Sequence, residues 1–298
     1  MPIRIATAPV SWGIMEISEF VWRRSSEDVL DEIAASGYVG TELGPYGFLP
    51  TDAAQLKQTL VKRKLSLLGA FVPLPLTDAQ RYQDGLQSAL QVAELLSEAG
   101  APLLVLAAEM DRRRMEIAGA VTDADGLTPD QWSRAAEMVT SVARQARAFG
   151  LRSVFHHHAG TYIETPRELD RLLSLTDPDL LGVCLDTGHY YYGGGDPLEC
   201  VRQHAGRIWH LHLKDVRGEV LDQVRREKLP YLEAVRQGLF CELGQGAVDI
   251  TGVLRELERS GFDGWAVVEQ DIDPDQPGIQ PAESAARSRA YLRHAAGV

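Results

Sequence analysis

The feature that most constrains this sequence is a phrase repeated from end to end: a short apolar run, a polar loop, then an amphipathic helical stretch. The runs are "IRIATAP" (3–9), "VGTEL" (39–43), "LSLLGAFV" (65–72), "PLLVLAA" (102–108), "RSVFHH" (152–157), "LGVCLD" (181–186), "RIWHLHL" (207–213) and "WAVVEQ" (265–270). Strands separated by helices pair in parallel, because a parallel pair needs a long crossover. Eight such units in 298 residues predict closure into a single (β/α)8 TIM barrel, a fold that takes about 250 residues. A doubly wound open sheet is the competing arrangement. It calls for a glycine-rich phosphate turn after the first strand, and "APVSWGIME" contains none. No Pro/Gly/Ser-rich linker divides the chain, so one domain over 1–298 is expected.

The helical stretches carry their own boundaries. "SSEDVLDEIAASG" (25–37) opens on a serine cap and closes on glycine. "TPDQWSRAAEMVTSVARQARAFG" (128–150) and "TPRELDRLLSL" (165–175) both begin Thr-Pro, a cap followed by a residue preset for the first helical position. The stretch 214–248 is the least regular. It predicts one helix over about 219–237 and a loop across the barrel mouth.

Charge and composition exclude several classes. The formal net charge is −12, against the clustered Lys and Arg that a nucleic acid or an anionic membrane requires. The one basic cluster, Arg112-Arg113-Arg114, reads as a solvated loop. Cys184, Cys200 and Cys241 form no closely spaced pair, so neither a disulfide framework nor a cysteine zinc site is expected. No apolar run approaches the ~20 residues of a membrane span, and the N-terminal stretch has no long apolar core of a signal peptide. A cytoplasmic protein with a small-molecule partner is expected, and the sequence leaves room for a homo-oligomer.

In a barrel, chemistry sits where the strands end at their C-terminal side. Those ends carry Glu42, Glu109, the histidine run 156–158, Asp186 with His189 in "DTGH", His212 with Lys214, Asp215 and Arg217 in "HLHLKDVR", and Glu269. Any one of them has a bland explanation as a cap or a surface charge. Together they converge His156, Asp186, His212 and Glu269 on one axis. Carboxylates so gathered repel one another unless a cation joins them. Mixed imidazole and carboxylate donors suit Mn²⁺, Co²⁺, Fe²⁺ or Zn²⁺ rather than Ca²⁺; Mn²⁺ or Co²⁺ is the first expectation, with Mg²⁺ also open. Strand alternation puts His156 and His158 on one face and His157 on the other. It likewise pairs His210 with His212, the former filling the barrel interior. His204 and His294 fall in helical patterns, as surface or packing residues.

"FHHHAGTYIETPRELDRLL", "LDTGHYYYGGGDP", "RIWHLHLKDVR" and "GWAVVEQD" together resemble the xylose-isomerase-like TIM barrels, and within them the inosose (2-keto-myo-inositol) dehydratases. The resemblance runs from "IATAPVSWG" to "VVEQD". It implies metal ligands at His156, Asp186, His212 and Glu269. Epimerase and isomerase members usually carry glutamate where His156 stands, which leaves His158 as an alternative ligand. AP-endonuclease-like relatives have further metal ligands at positions that align with Gly238 and Phe240, so a DNA-repair site is not expected.

The resemblance also implies dehydration of a ring keto-polyol through a metal-stabilised enediolate. Glu269 or Glu42 would take the α-proton, and His158 or Glu109 would protonate the departing hydroxyl. Lys214 would steady the enolate oxygen, unless it pairs with Asp215. Trp12, His189 and Arg217 would bind substrate. A metal-dependent ketose epimerase or isomerase shares the first step; the histidine at 156 breaks the pair of glutamates such enzymes use and favours elimination.

Overall fold

The structure is a computed structural model that describes residues 3–17, 21–275 and 278–298. Its strands in chain order are β1 (Arg4–Thr7), β2 (Gly40–Thr41), β3 (Ser66–Leu67), β4 (Phe71–Leu74), β5 (Leu103–Ala108), β6 (Arg152–His156), β7 (Leu181–Asp186), β8 (Ile208–Leu213), β9 (Asp215–Val216), β10 (Phe240–Cys241) and β11 (Trp265–Val268). Nine of them form one parallel sheet in the order β3-β2-β1-β11-β8-β7-β6-β5-β4. β9 and β10 make a separate antiparallel pair beyond the barrel mouth.

The two ends of that order are one stretch of chain. β3 and β4 are halves of the third barrel strand, bent between them. At the bend the Leu68 amide donates to the Thr41 carbonyl (3.0 Å), while Leu103 donates back to the carbonyl of Leu68 (3.2 Å). The strand therefore bonds β2 through its first half and β5 through its second, and the sheet closes into a barrel. Glycine at 69 makes the bend possible, since a Cβ there would lie 2.7 Å from the Leu103 carbonyl oxygen.

β5 and β7 are buried along their whole length, as expected of strands covered on both faces. The helices begin where the caps predict. Ser25 caps Ser26–Ala35, and Thr128 and Thr165 each form a reciprocal capping box with the residue three positions on, Gln131 and Glu168. Two expectations fail. The helix expected over 219–237 is two, Gly218–Glu227 and Tyr231–Arg236, because Lys228 turns left-handed (φ 53°) and Pro230 cannot continue the first helix. Nor is 112–114 a solvated loop. It opens the helix Arg112–Ile117, and Arg114 is fully buried, its guanidinium bidentate on Glu168 at 2.7 and 2.9 Å.

All three cysteines are free and buried. Among the described residues, no helix is long and apolar enough to cross a membrane.

Candidate active site

β6 ends on His156 and β7 on Asp186. β8 carries His212 directly beside Asp186, and Glu269 follows β11 with its amide bonded to Leu213 (3.0 Å). The period of two does the sorting. On β8 it turns His210 and His212 into the barrel. At the end of β6 it turns His157 away from its neighbours: its Nε2 accepts the Asp186 amide at 3.3 Å, and its ring stands edge-on to Tyr190.

His156, Asp186, His212 and Glu269 each offer a donor atom within 4.8 Å of all the others. His156 Nε2 lies 3.5 Å and His212 Nδ1 3.9 Å from Asp186 Oδ2, and His212 Nδ1 lies 3.3 Å from Glu269 Oε2. Three buried atoms in this group, His156 Nδ1, His212 Nδ1 and Asp186 Oδ2, find no hydrogen-bond partner among the described residues. Buried polar atoms are rarely left unpaired. Two imidazoles and two carboxylates, three of the four with a buried atom left unpaired, fit a divalent ion of the Mn²⁺, Co²⁺ or Zn²⁺ type. Burial pushes the His156 imidazole down to about 4, which keeps it neutral, as a ligand must be. For Asp186, burial works against the charge, but Lys214 and the adjacent imidazoles outweigh it and hold the carboxyl well below its usual range.

Glu42 stands behind the cluster. Its Oε1 accepts from His210 Nε2 (2.7 Å) and His212 Nε2 (2.9 Å), which turns His212 Nδ1 toward the other donors. Burial opposes ionisation of Glu42 too, yet the two imidazoles outweigh it and hold the carboxyl below the ordinary range.

Lys214 is the internal cation of the site. Its Nζ lies 2.6 Å from Asp271 Oδ1, 2.9 Å from His189 Nε2 and 3.3 Å from both Asp186 and Glu269. Burial alone would discharge it, but the three carboxylates keep it protonated. The glycine of "DTGH" makes room for it: a Cβ on Gly188 would lie 2.7 Å from Lys214 Cγ. Phe240 caps the ammonium at 5.1 Å, and Tyr231 hydrogen-bonds the far oxygen of Asp271 at 2.8 Å. Asp215 is not the partner of Lys214. It accepts the amides of Val216, Gly244, Gly246 and Val248 and so pins the loop over the mouth.

A cavity of about 320 Å³ opens above these groups, lined by His156, His158, His212, Lys214, Glu269 and Asp271 among others. That falls within the roughly 300–1,000 Å³ of small-molecule sites. A family model described as a xylose isomerase-like TIM barrel matches residues 30–295. The chain belongs to that family. It is 32% identical to an inosose dehydratase of Lacticaseibacillus casei over 98% of this chain and 97% of that one. With an inosose dehydratase of Geobacillus kaustophilus the identity is 34%, over 92% and 89% respectively. The solved structure of the IOLI protein with a binding zinc atom superposes with a TM-score of 0.75 at 14% identity, covering 99% of this chain and 98% of that one; it shares the fold.

In this xylose isomerase-like barrel the remaining residues expected at the site scatter. Glu109 lines the cavity rim, clasped by Arg81 at 2.6 and 2.7 Å, which leaves it little freedom as an acid. Trp12 lies outside the cavity lining, buried, with its indole N–H on Glu32 at 2.7 Å; it packs rather than binds. Arg217 also lies outside the lining and reaches the Gly238 carbonyl. His189 is fully buried behind Lys214. His158 does line the cavity, but its Nδ1 meets the Ala159 carbonyl at 2.7 Å, so that nitrogen carries the proton and Nε2 is left as an acceptor. Burial together with His189 and His156 also keeps its cation disfavoured. It is not built to be the proton donor.

The sequence reading missed Glu16. It lies in the loop after β1 and lines the cavity; its side chain is exposed to solvent, and the carboxylates of Glu269, Glu42 and Asp271 favour its protonated form. One carboxylate in an irregular loop has no periodicity to reveal it. Asp271 and Tyr231 were likewise invisible as partners of Lys214.

Proposed function

We propose that this chain is a hydro-lyase that removes water from a cyclic keto-polyol of the 2-keto-myo-inositol type, with Mn²⁺ or Co²⁺ held by His156, Asp186, His212 and Glu269. The enzyme class rests on the near-full-length likeness to two inosose dehydratases. The observation that carries the metal is the set of four converging side chains, three of which keep a buried atom without a hydrogen-bond partner among the described residues. A divalent ion there would supply Lewis acidity to a carbonyl and stabilise the negative oxygen that develops next to it.

The chain's own residues handle the protons. Glu269 Oε2 is engaged with Lys214 and His212, while its Oε1 makes no hydrogen bond or ion pair among the described residues. Glu269 is the base: the α-proton moves to that oxygen, and the C–H electron pair enters the enolate. Lys214, protonated and fixed by three carboxylates, attracts the enolate oxygen. The β-carbon–oxygen bond then breaks, and the departing hydroxyl takes a proton from Glu16, which lines the cavity without a side-chain partner among the described residues and is favoured in its protonated form by Glu269, Glu42 and Asp271. One water leaves, and the enol left on the ring beside the carbonyl ketonises to the 1,2-diketone. Glu42 orients His212 and does not itself take the proton.

The experiment is incubation with 2-keto-myo-inositol and Mn²⁺ or Co²⁺, followed by absorbance of the diketone product. Glu269→Gln and Glu16→Gln each lower kcat by about 10²- to 10⁴-fold. Asp186→Asn and His212→Ala lose the metal without unfolding the barrel. Absence of product under every divalent ion tested, or full metal retention by both ligand variants, contradicts the reading. Epimer formation from ketoses with solvent deuterium incorporated would instead favour an epimerase.

A further inference from the structure

The cavity has two unlike halves. One belongs to β6, β7, β8 and β11 and supplies the imidazoles, Lys214, Glu269 and Asp271. The other belongs to the contiguous strands β1, β2, β4 and β5 and their loops. Its lining is Ile14, Met15 and Ile17 after β1, Phe71 and Pro73 on β4, and Met110 after β5. Three carboxylates also lie on this side. Glu42 is committed to His210 and His212, and Glu109 to Arg81, which leaves only Glu16 without a side-chain partner among the described residues. The apolar wall reaches the metal-binding group itself: the Phe71 ring stands edge-on to His156 at 5.7 Å.

A ring that presents its ketone to the polar half turns its opposite edge to this wall. A fully hydroxylated ring would press several hydroxyls against side chains that neither donate nor accept. Each hydroxyl taken from water without a partner weakens binding on the order of 10- to 100-fold. A methyl group in the same place gains about fourfold from leaving water.

Resting on the dehydratase reading, we propose that the substrate of this site is a keto-cyclitol bearing an apolar group, an O-alkyl ether or a deoxygenated carbon, on the edge of the ring remote from its ketone. Ile14, Met15, Phe71 and Met110 are the residues that select it.

The test uses the protein supplied with Mn²⁺ and two ligand sets: 2-keto-myo-inositol, and its mono-O-methyl ethers. Both kcat/KM and calorimetric affinity are measured. At least one ether is expected to exceed the parent ketone by about tenfold or more in affinity and in kcat/KM. Met15→Gln, nearly isosteric, and Ile14→Asn are expected to erase that preference; agreement of the two variants separates lost selectivity from misfolding. Parity, tighter binding of the parent, or no binding by any ether overturns the proposal. Ether-selective binding without turnover of any ligand supports it and counts against the dehydratase reading, so the two failures are distinguishable.

Discussion

Glu42→Gln separates a residue that positions a metal ligand from one that takes a proton. Glu42 Oε1 accepts from two buried imidazoles, His210 at 2.7 Å and His212 at 2.9 Å. Glutamine keeps the shape and one carbonyl oxygen but loses the charge. A hydrogen bond to a charged group is worth about 1 kcal/mol more than a neutral one, so two of them lose roughly 2 kcal/mol of hold on the imidazoles. Carboxylates behind ligand histidines are typically worth about 10- to 100-fold in metal affinity, or about 1.4–2.7 kcal/mol. The two routes agree in size. Calorimetric titration with Mn²⁺ should therefore show a 10- to 100-fold rise in Kd, and saturating Mn²⁺ should restore most of kcat. An unchanged Kd refutes the positioning role. A raised Kd with kcat still reduced by several orders of magnitude at saturating metal would make Glu42 the base instead of Glu269.

Three further perturbations test the rest of the site. Lys214→Met leaves Asp186, Glu269 and Asp271 facing one another without their buried cation; a loss of about 3–5 kcal/mol, and a Tm lower by on the order of 10 °C, should appear by calorimetry. Gly188→Ala forces a methyl to within 2.7 Å of Lys214 Cγ and displaces the ammonium; kcat should fall on the order of 100-fold while Tm moves less than in Lys214→Met. Glu164 accepts the amides of Gly119 and Gly160 but is raised by burial from an ordinary 4.5 to about 7, so between those values the folded state holds a proton that the unfolded chain has shed. Stability should decline as pH rises through that window, by up to about 3 kcal/mol relative to Glu164→Gln; curves that stay parallel in urea titrations from pH 4.5 to 7 would refute it.

The barrel was legible because its eight apolar runs are each bounded by caps, glycines or prolines, and because burial on both faces leaves a strong signal. The gathering of His156, Asp186, His212 and Glu269 was legible for a related reason. Strand ends converge by topology, and alternation separates His157 from His156 and His158 without any knowledge of the partners. What stayed hidden depends on contacts through space. Three adjacent arginines read as solvent-facing, yet Arg114 finds Glu168 fifty-four positions away. Lys214 reads as a partner of its neighbour Asp215, but they diverge: one bridges three carboxylates and the other collects four backbone amides. Glu16 has neither periodicity nor motif, and only the folded chain places it on the cavity lining.

The bent third strand, which bonds its two neighbours at different heights, has a consequence for how such a barrel can diversify. Phe71 and Pro73 sit on its second half and line the apolar side of the cavity. β6, β7, β8 and β11, which carry or lead into His156, Asp186, His212 and Glu269, lie side by side on the other side. Apolar lining and converging polar groups thus fall on opposite arcs of one circle. Substitutions along the bent arc can alter the shape and polarity of the cavity wall without touching the strands that position His156, Asp186 and His212.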